Sequence, residues 1–260
     1  MIKRLIADVK KYYRYSMVAA KAQLKTEVAN SYLNWIWWIL NPLCFMLIYS
    51  FIFGYVFKAS EQYFPVFIFI GLSMWDFFNH ILKNSVKIVK RNKSVVSRVY
   101  FPKYILLLTQ TWVDGFKMLI SFGIVFLMMV IFGVPISWNV LFFIPILLIL
   151  GLLTFGCACF TLHFGVYVED LGNVITIVLR FLFYLTGIFY NVESRIPQIG
   201  TYLNLFNPLA FLITSMRRCL IYSQLPDLKM LAFWAVISVI LTLTGIAKIY
   251  KEENSYLKAI

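Results

Sequence analysis

Between residues 35 and 57 the chain carries no charged side chain, a stretch long enough to cross the roughly 30 Å hydrocarbon core of a bilayer as a helix. Apolar stretches of similar character recur at 63–82, 106–132, 140–162, 174–190 and 231–249. Without water to bond to, a backbone in hydrocarbon must satisfy its own N–H and C=O groups, so such stretches fold as helices. The expected fold is an all-α integral membrane protein with six transmembrane helices. With 62% hydrophobic and 13% charged residues, the chain has too little polar surface to cover a soluble domain. Its 260 residues are consumed by spans and connections, which leaves no room for a separate soluble catalytic domain.

The net charge of +13 would suit nucleic acid if it lay on a soluble face. It is concentrated instead between Lys3 and Lys25 and between Lys83 and Lys103, beside apolar spans, the pattern of cytoplasmic segments in contact with anionic headgroups. Membrane lipid is the expected partner, and no nucleic acid. Residues 1–30 place Leu5, Val9, Tyr12 or Tyr13, Met17, Ala20 and Leu24 at helical spacing, with Lys3, Lys10, Lys11, Arg14, Lys21 and Lys25 interleaved, which predicts an amphipathic helix on the inner membrane surface. The opening shows no short apolar core with a small-residue cleavage site, so the first span is expected to direct insertion.

Trp35, Trp37 and Trp38 open that first span at interface height, and Pro42 is expected to bend it. A short connection with Lys58 and Glu61 leads to the second span. Residues 83–104 then hold seven Lys/Arg and no acid, the strongest sign of a cytoplasmic loop. Gly133-Val134-Pro135 supplies a turn between the third and fourth spans, and Glu169 to Asn173 a polar break before the fifth. Residues 196–222 alternate apolar patches too short to span with Pro197, Gly200 and Pro208, and are expected to form two short re-entrant helices in the outer leaflet. The sixth span ends in Lys248, Lys251 and Lys258, which places both termini in the cytoplasm.

Little in the sequence looks like catalysis. Cys44, Cys157, Cys159 and Cys219 mostly lie in apolar segments, where a thiol behaves as a small hydrophobe, and the spacing of Cys157 and Cys159 is wrong for a common zinc or redox motif. Asp76 and His80 share a helix face and have the spacing to bind a metal or relay a proton, but a lone pair near a span end is more ordinarily met by water or a partner helix. Asp114 and Lys117 lie one turn apart within the third span and are expected to neutralise each other. His163 is read as a packing residue. Arg180, two turns into the fifth span, is expected to pair with Glu169 or Asp170, or else to meet a negatively charged substrate. Arg217 and Arg218 follow the re-entrant segment, where they would meet phosphate or uronate on an exported molecule or anchor the loop at headgroups. No G-x-x-x-x-G-K-[ST] phosphate loop, G-x-S-x-G elbow or H-E-x-x-H motif occurs.

The order of three stretches resembles a known family, the membrane permease subunit of type-2 ABC exporters of lipid-linked polysaccharides such as O-antigen, capsular polysaccharide or teichoic acid. The amphipathic helix running into Tyr32-Leu33-Asn34-Trp35-Ile36-Trp37-Trp38-Ile39-Leu40-Asn41-Pro42 is similar to that family's aromatic approach to its first span. Residues 92–103, Asn92 through Pro102-Lys103, are similar to its cytoplasmic loop that touches the ATPase. Glu169 to Val174, Phe183 to Tyr190, then Asn207-Pro208-Leu209 and Arg217 complete the resemblance. Two positions depart: Gly187 stands where the family usually has Pro, and Glu169 where an Arg is common.

The resemblance implies one transporter transmembrane domain over 1–260, acting as a homodimer with two copies of a separate nucleotide-binding subunit that would hold ATP and Mg. No cofactor is expected in this chain, and it is not expected to be an enzyme. The substrate path would lie at the dimer seam in the bacterial cytoplasmic membrane, with Trp35, Trp38, Tyr49, Phe53, Arg180, Tyr184, Phe189, Tyr190 and Arg217 as path residues. Lys90, Asn92, Val95, Arg98, Phe101 and Pro102 would contact the ATPase. Two alternatives stand beside it: a permease for a drug or another lipid, for which the aromatic-rich first and fifth spans are unneeded, and an intramembrane transferase, which requires a convergent polar site.

Overall fold

The structure, a computed structural model, describes residues 2–29, 32–56, 61–192 and 197–259. The described elements are helical: α1 (Ile2–Val28), α2 (Trp37–Tyr49) continued by a π-helical stretch (Ser50–Val56), α3 (Phe64–Arg91), α4 (Lys93–Val96), α5 (Tyr104–Ile131), α6 (Phe143–Tyr167), α7 (Leu171–Leu185), α8 (Pro197–Phe206), α9 (Pro208–Leu220) and α10 (Leu228–Ala259). Five are long and apolar enough to cross a membrane: Trp37–Val56, Phe64–Arg91, Tyr104–Ile131, Trp138–Tyr167 and Leu228–Glu253. The connection with Lys58 lies outside the described residues.

The core is built around α3. Val66, Phe67, Ile68, Phe69 and Ile70 are all buried, because the first half of this helix is apolar on every side and must be enclosed all round. Helices α2, α5, α6, α7 and α9 pack against it. The second span was expected over 63–82 with Lys83, Lys87, Lys90 and Arg91 following on one helical face, and α3 runs unbroken through both to Arg91. Lys83, Lys87 and Lys90 recur at helical spacing, so the basic stretch keeps a helical register. Its other face, Ser85, Val86, Ile88 and Val89, is buried, and the Ser85 hydroxyl hydrogen-bonds that of Thr161 on α6.

Helix α10 lies along α6 through small residues, the arrangement that lets helices approach in a medium with no hydrophobic drive between them. A Cβ at Gly156 would stand 2.9 Å from the Thr242 backbone nitrogen, and the Thr242 hydroxyl donates to the Leu152 carbonyl at 2.8 Å.

The fifth expected span, 174–190, is the shortest in the fold. Helix α7 has 15 residues, about 22 Å at 1.5 Å per residue, and the chain then turns at Gly187, whose φ is 67°. That left-handed conformation excludes a proline, whose ring holds φ near −65°. Gly187 thus supplies the bend by a different backbone route from the Pro usual in the family. Two short helices, α8 and α9, follow within the expected segment 196–222, of which residue 196 lies outside the described residues. Asn207 separates them and caps α9, its Oδ1 accepting from the Leu209 and Ala210 amides at 3.1 and 3.2 Å.

Helix α1 is more than a surface float. Ser16 and Ala20 are buried, Tyr13 meets Trp112 edge-on at 6.0 Å, and Asp8 accepts from the Tyr250 hydroxyl at 2.6 Å. The helix is bolted to α5 and to the end of α10. Replacing Gly156 by Val should force α6 and α10 apart at a cost of about 2 kcal/mol, read as a lowered unfolding midpoint of the detergent-solubilised protein by tryptophan fluorescence, while Gly151→Val, where open space surrounds the Cβ, should change it far less.

Candidate functional site

Where α2 leans on α3, α5 and α7, the helices leave a cleft of about 430 Å³. Trp37, Trp38, Phe45 and Tyr49 line it from α2, Trp75 and Phe77 from α3, and Phe183 from α7. Trp75 and Phe183 meet at 5.4 Å, and Trp38 stands edge-on to Phe116 at 6.0 Å. At one end the aromatic wall continues into a stack: Phe53 lies 4.3 Å from Phe189 at 11°, and Tyr49 lies 4.9 Å from Phe189.

The opposite wall is ionic. Asp76, His80, Asp114 and Lys117 all face the cleft, brought together from α3 and α5. The expected neutralisation of Asp114 by Lys117 does not occur. Lys117 reaches back to Glu27 at 2.6 Å, and Asp114, 4% exposed, accepts from Gln110 Nε2 at 2.7 Å with His80 Nδ1 at 3.8 Å. Gln110 in turn accepts from Gln23 at 3.1 Å. The charged partners, Glu27 of α1 and His80 of α3, come from other helices, so the spacing within α5 concealed them. Asp76 and His80 do not stand as an isolated pair either. Asp76 makes no hydrogen bond or ion pair among the described residues; His80 and Lys83 act on it only at longer range. No group of three possible metal ligands occurs among the described residues.

The path residues expected from sequence divide. Trp38 and Tyr49 line the cleft and Phe53 and Phe189 extend it. Trp35, Arg180 and Tyr184 lie exposed outside it, and Tyr190 donates its hydroxyl to the Tyr184 carbonyl at 2.8 Å. Arg180 does not pair with Glu169, which instead stands 3.5 Å from Lys90. Arg217 is 3% exposed and committed to the fold: Nε donates to Phe67 O at 3.1 Å, Nη1 to Gly187 O at 2.7 Å and Nη2 to Ile188 O at 2.8 Å, with the guanidinium 3.4 Å above the Phe67 ring. It ties the turn after α7 to α3, while Arg218 borders a smaller hollow of about 210 Å³ with Thr214, Tyr222 and Gln224. His163 packs as expected, its Nδ1 2.8 Å from the Tyr256 hydroxyl.

The loop after α3 also divides. Val95 and Arg98 are exposed, whereas Phe101 and Pro102 are buried, Phe101 lying 5.8 Å from Tyr15 of α1. Within this chain those two residues are packed inward and position the loop. Asn92 caps α3, its amide donating to Ile88 O at 2.8 Å. Lys103, also buried, donates to Phe101 O at 3.2 Å, and burial pushes its ammonium below the ordinary lysine range.

Two outcomes test this geometry. Arg217→Leu should strand three carbonyls and cost about 3 kcal/mol, and Arg217→Lys should not restore it, since one ammonium cannot reproduce the planar fork; thermal unfolding in detergent measures both. For Lys117 and Glu27, a double-mutant cycle with alanine should show coupling of about 1 kcal/mol, whereas additive losses would mean the pair carries no energy.

A family model described as ABC-2 type transporter matches residues 16–221. The chain is 25% identical over 232 residues to the O-antigen export system permease protein RfbA of Klebsiella pneumoniae, covering 89% of each, and 24% identical over 239 residues to RfbA of Myxococcus xanthus, covering 92% of each. It is 24% identical over 255 residues to the polysialic acid transport protein KpsM of Escherichia coli, covering 90% of this chain and 92% of that protein.

Proposed function

We propose that this chain, which belongs to the ABC-2 type transporter family, is the membrane-spanning subunit of an ATP-driven exporter that moves a lipid-linked polysaccharide or polyol-phosphate polymer across the bacterial cytoplasmic membrane. The observation that carries the proposal is the aromatic cleft along α2, continued by the Phe53–Phe189 stack. Flat aromatic faces bind the C–H faces of sugar rings without demanding one ring in particular, which suits a polymer that slides. The printed functions of the similar permeases, O-antigen export and polysialic acid transport, support the same substrate class.

The path forms between two copies of the chain. In support, α2 and the π-helical stretch after it are little buried within one copy, Phe51 being 62% and Tyr55 76% exposed, which leaves their apolar faces free for lipid or a second copy. Helix α7, extended through the turn at Gly187, completes a sixth crossing, and α8 and α9 dip into the outer leaflet as a re-entrant pair. Both termini face the cytoplasm, where the basic face of α3 and the loop at 92–100 receive two copies of a nucleotide-binding subunit that holds ATP and Mg. Val95, Arg98 and the end of α3 at Lys90 form the contact. ATP-driven closure of that subunit displaces the loop and α1 together, and packed helices pass the displacement to the seam.

Purification with candidate ATP-binding subunits tests the proposal. A matching subunit should co-purify and hydrolyse ATP faster in the complex, and joint replacement Val95→Asp and Arg98→Asp should weaken its affinity about tenfold, equal to about 1.4 kcal/mol, and lower the stimulation with it. If no ATP-binding subunit binds or responds, the exporter assignment fails.

A further inference from the structure

We infer that the cleft is a sugar subsite with a charge preference, in which Asp76 accepts hydrogen bonds from hydroxyl or amino groups of a ring stacked on the aromatic wall and turns away anionic sugars. This rests on the exporter proposal only for the direction of transport. The binding chemistry stands on the cleft.

The ionic wall is not neutral. Lys117 is taken up by Glu27, and His80 stands against Asp114. Asp76 is left as a carboxylate exposed to the cleft, with no hydrogen bond or ion pair among the described residues. In a chain of net charge +13, Asp76, Asp114 and Glu27 outweigh Lys117 here whether His80 is protonated or not, with Lys83 acting on Asp76 only at longer range. A carboxylate within an apolar span is costly unless something offsets it. Its two oxygens can accept from two adjacent hydroxyls of one ring, and an ammonium in their place gains an opposite charge and the faces of Trp75 and Trp38. A uronate or sialate carboxylate, or the phosphate of a polyol-phosphate polymer, would instead face a fixed like charge in a poorly hydrated site, where such repulsion is weakly screened, so that of the substrates proposed above the subsite favours a neutral or amino-sugar polysaccharide. The cleft volume of about 430 Å³ falls in the range of small-molecule sites and accommodates a short saccharide segment.

The full chain in detergent can be titrated with three oligosaccharides of equal length, N-acetylglucosamine (neutral), glucosamine (amine) and galacturonate (anion), following the fluorescence of the cleft tryptophans. The glucosamine and N-acetylglucosamine oligomers should bind, with galacturonate about tenfold weaker. Asp76→Asn should remove the advantage of the amine and bring galacturonate level with the neutral oligomer, and Asp76→Glu should keep the wild-type order. Equal affinity for all three in the wild type, an unchanged order in Asp76→Asn, or no binding of any would each overturn the subsite. A loss of ATPase coupling with intact binding would count against the exporter proposal and leave the subsite standing.

Discussion

In hydrocarbon, each charge or backbone group that leaves water must be matched by another part of the protein, and this structure meets that demand mostly between helices distant in sequence. Lys117 is matched from α1, Asp114 from its own helix and α3, and Arg217 by carbonyls of α3 and of the turn after α7. Each match fixes the position of a neighbour. Arg217 sets how closely the turn at Gly187 approaches α3, and so where Phe189 sits to receive Phe53. Were the guanidinium absent, the aromatic stack would lose the support on which its register depends.

The helical elements were legible because apolar length alone reports a span, and basic residues between spans report a side. Boundaries were less legible where charge and helix coincide: Lys83, Lys87 and Lys90 mark a headgroup region, yet nothing in their chemistry ends a helix, so α3 runs on to Arg91. The shortness of α7 was hidden by the apolar residues after it, Ile188 and Phe189, which are buried beyond a glycine turn. The candidate site was half legible. Aromatic density in α2 pointed to Trp38, Tyr49 and Phe53, whereas the ionic wall was concealed, since Asp76, Asp114 and Glu27 lie far apart in the chain and only packing brings them near one cleft. Intramembrane charge itself was the available signal.

The distribution of charge separates two tasks. The outward faces of α1 and the end of α3 are basic, which suits the negative surface potential of a cytoplasmic leaflet. The cleft has the opposite sign. A sugar ring that enters the cleft, as proposed, therefore meets hydrogen bonding and stacking there rather than the basic surface.

Helix α1 connects those locations. Tyr15 packs on Phe101 of the loop, and Glu27, twelve residues on, holds Lys117 at the cleft; at 1.5 Å per residue these contacts are about 18 Å apart on one helix. A push on the loop cannot move Phe101 without loading α1, because Phe101 is buried and α1 is also held by Asp8 at Tyr250. Under the proposed coupling the load would pass through Glu27 to Lys117 and through Gln23 to Gln110, the donor to Asp114. The polar wall of the cleft is for this reason joined by packed contacts to the surface proposed for the ATPase, and the aromatic wall on α2 meets the same helix where Trp38 stands edge-on to Phe116 of α5. By the same proposed coupling, displacement at the loop would therefore reach the donors around Asp114 first and the aromatic side chains of α2 through their contact with α5.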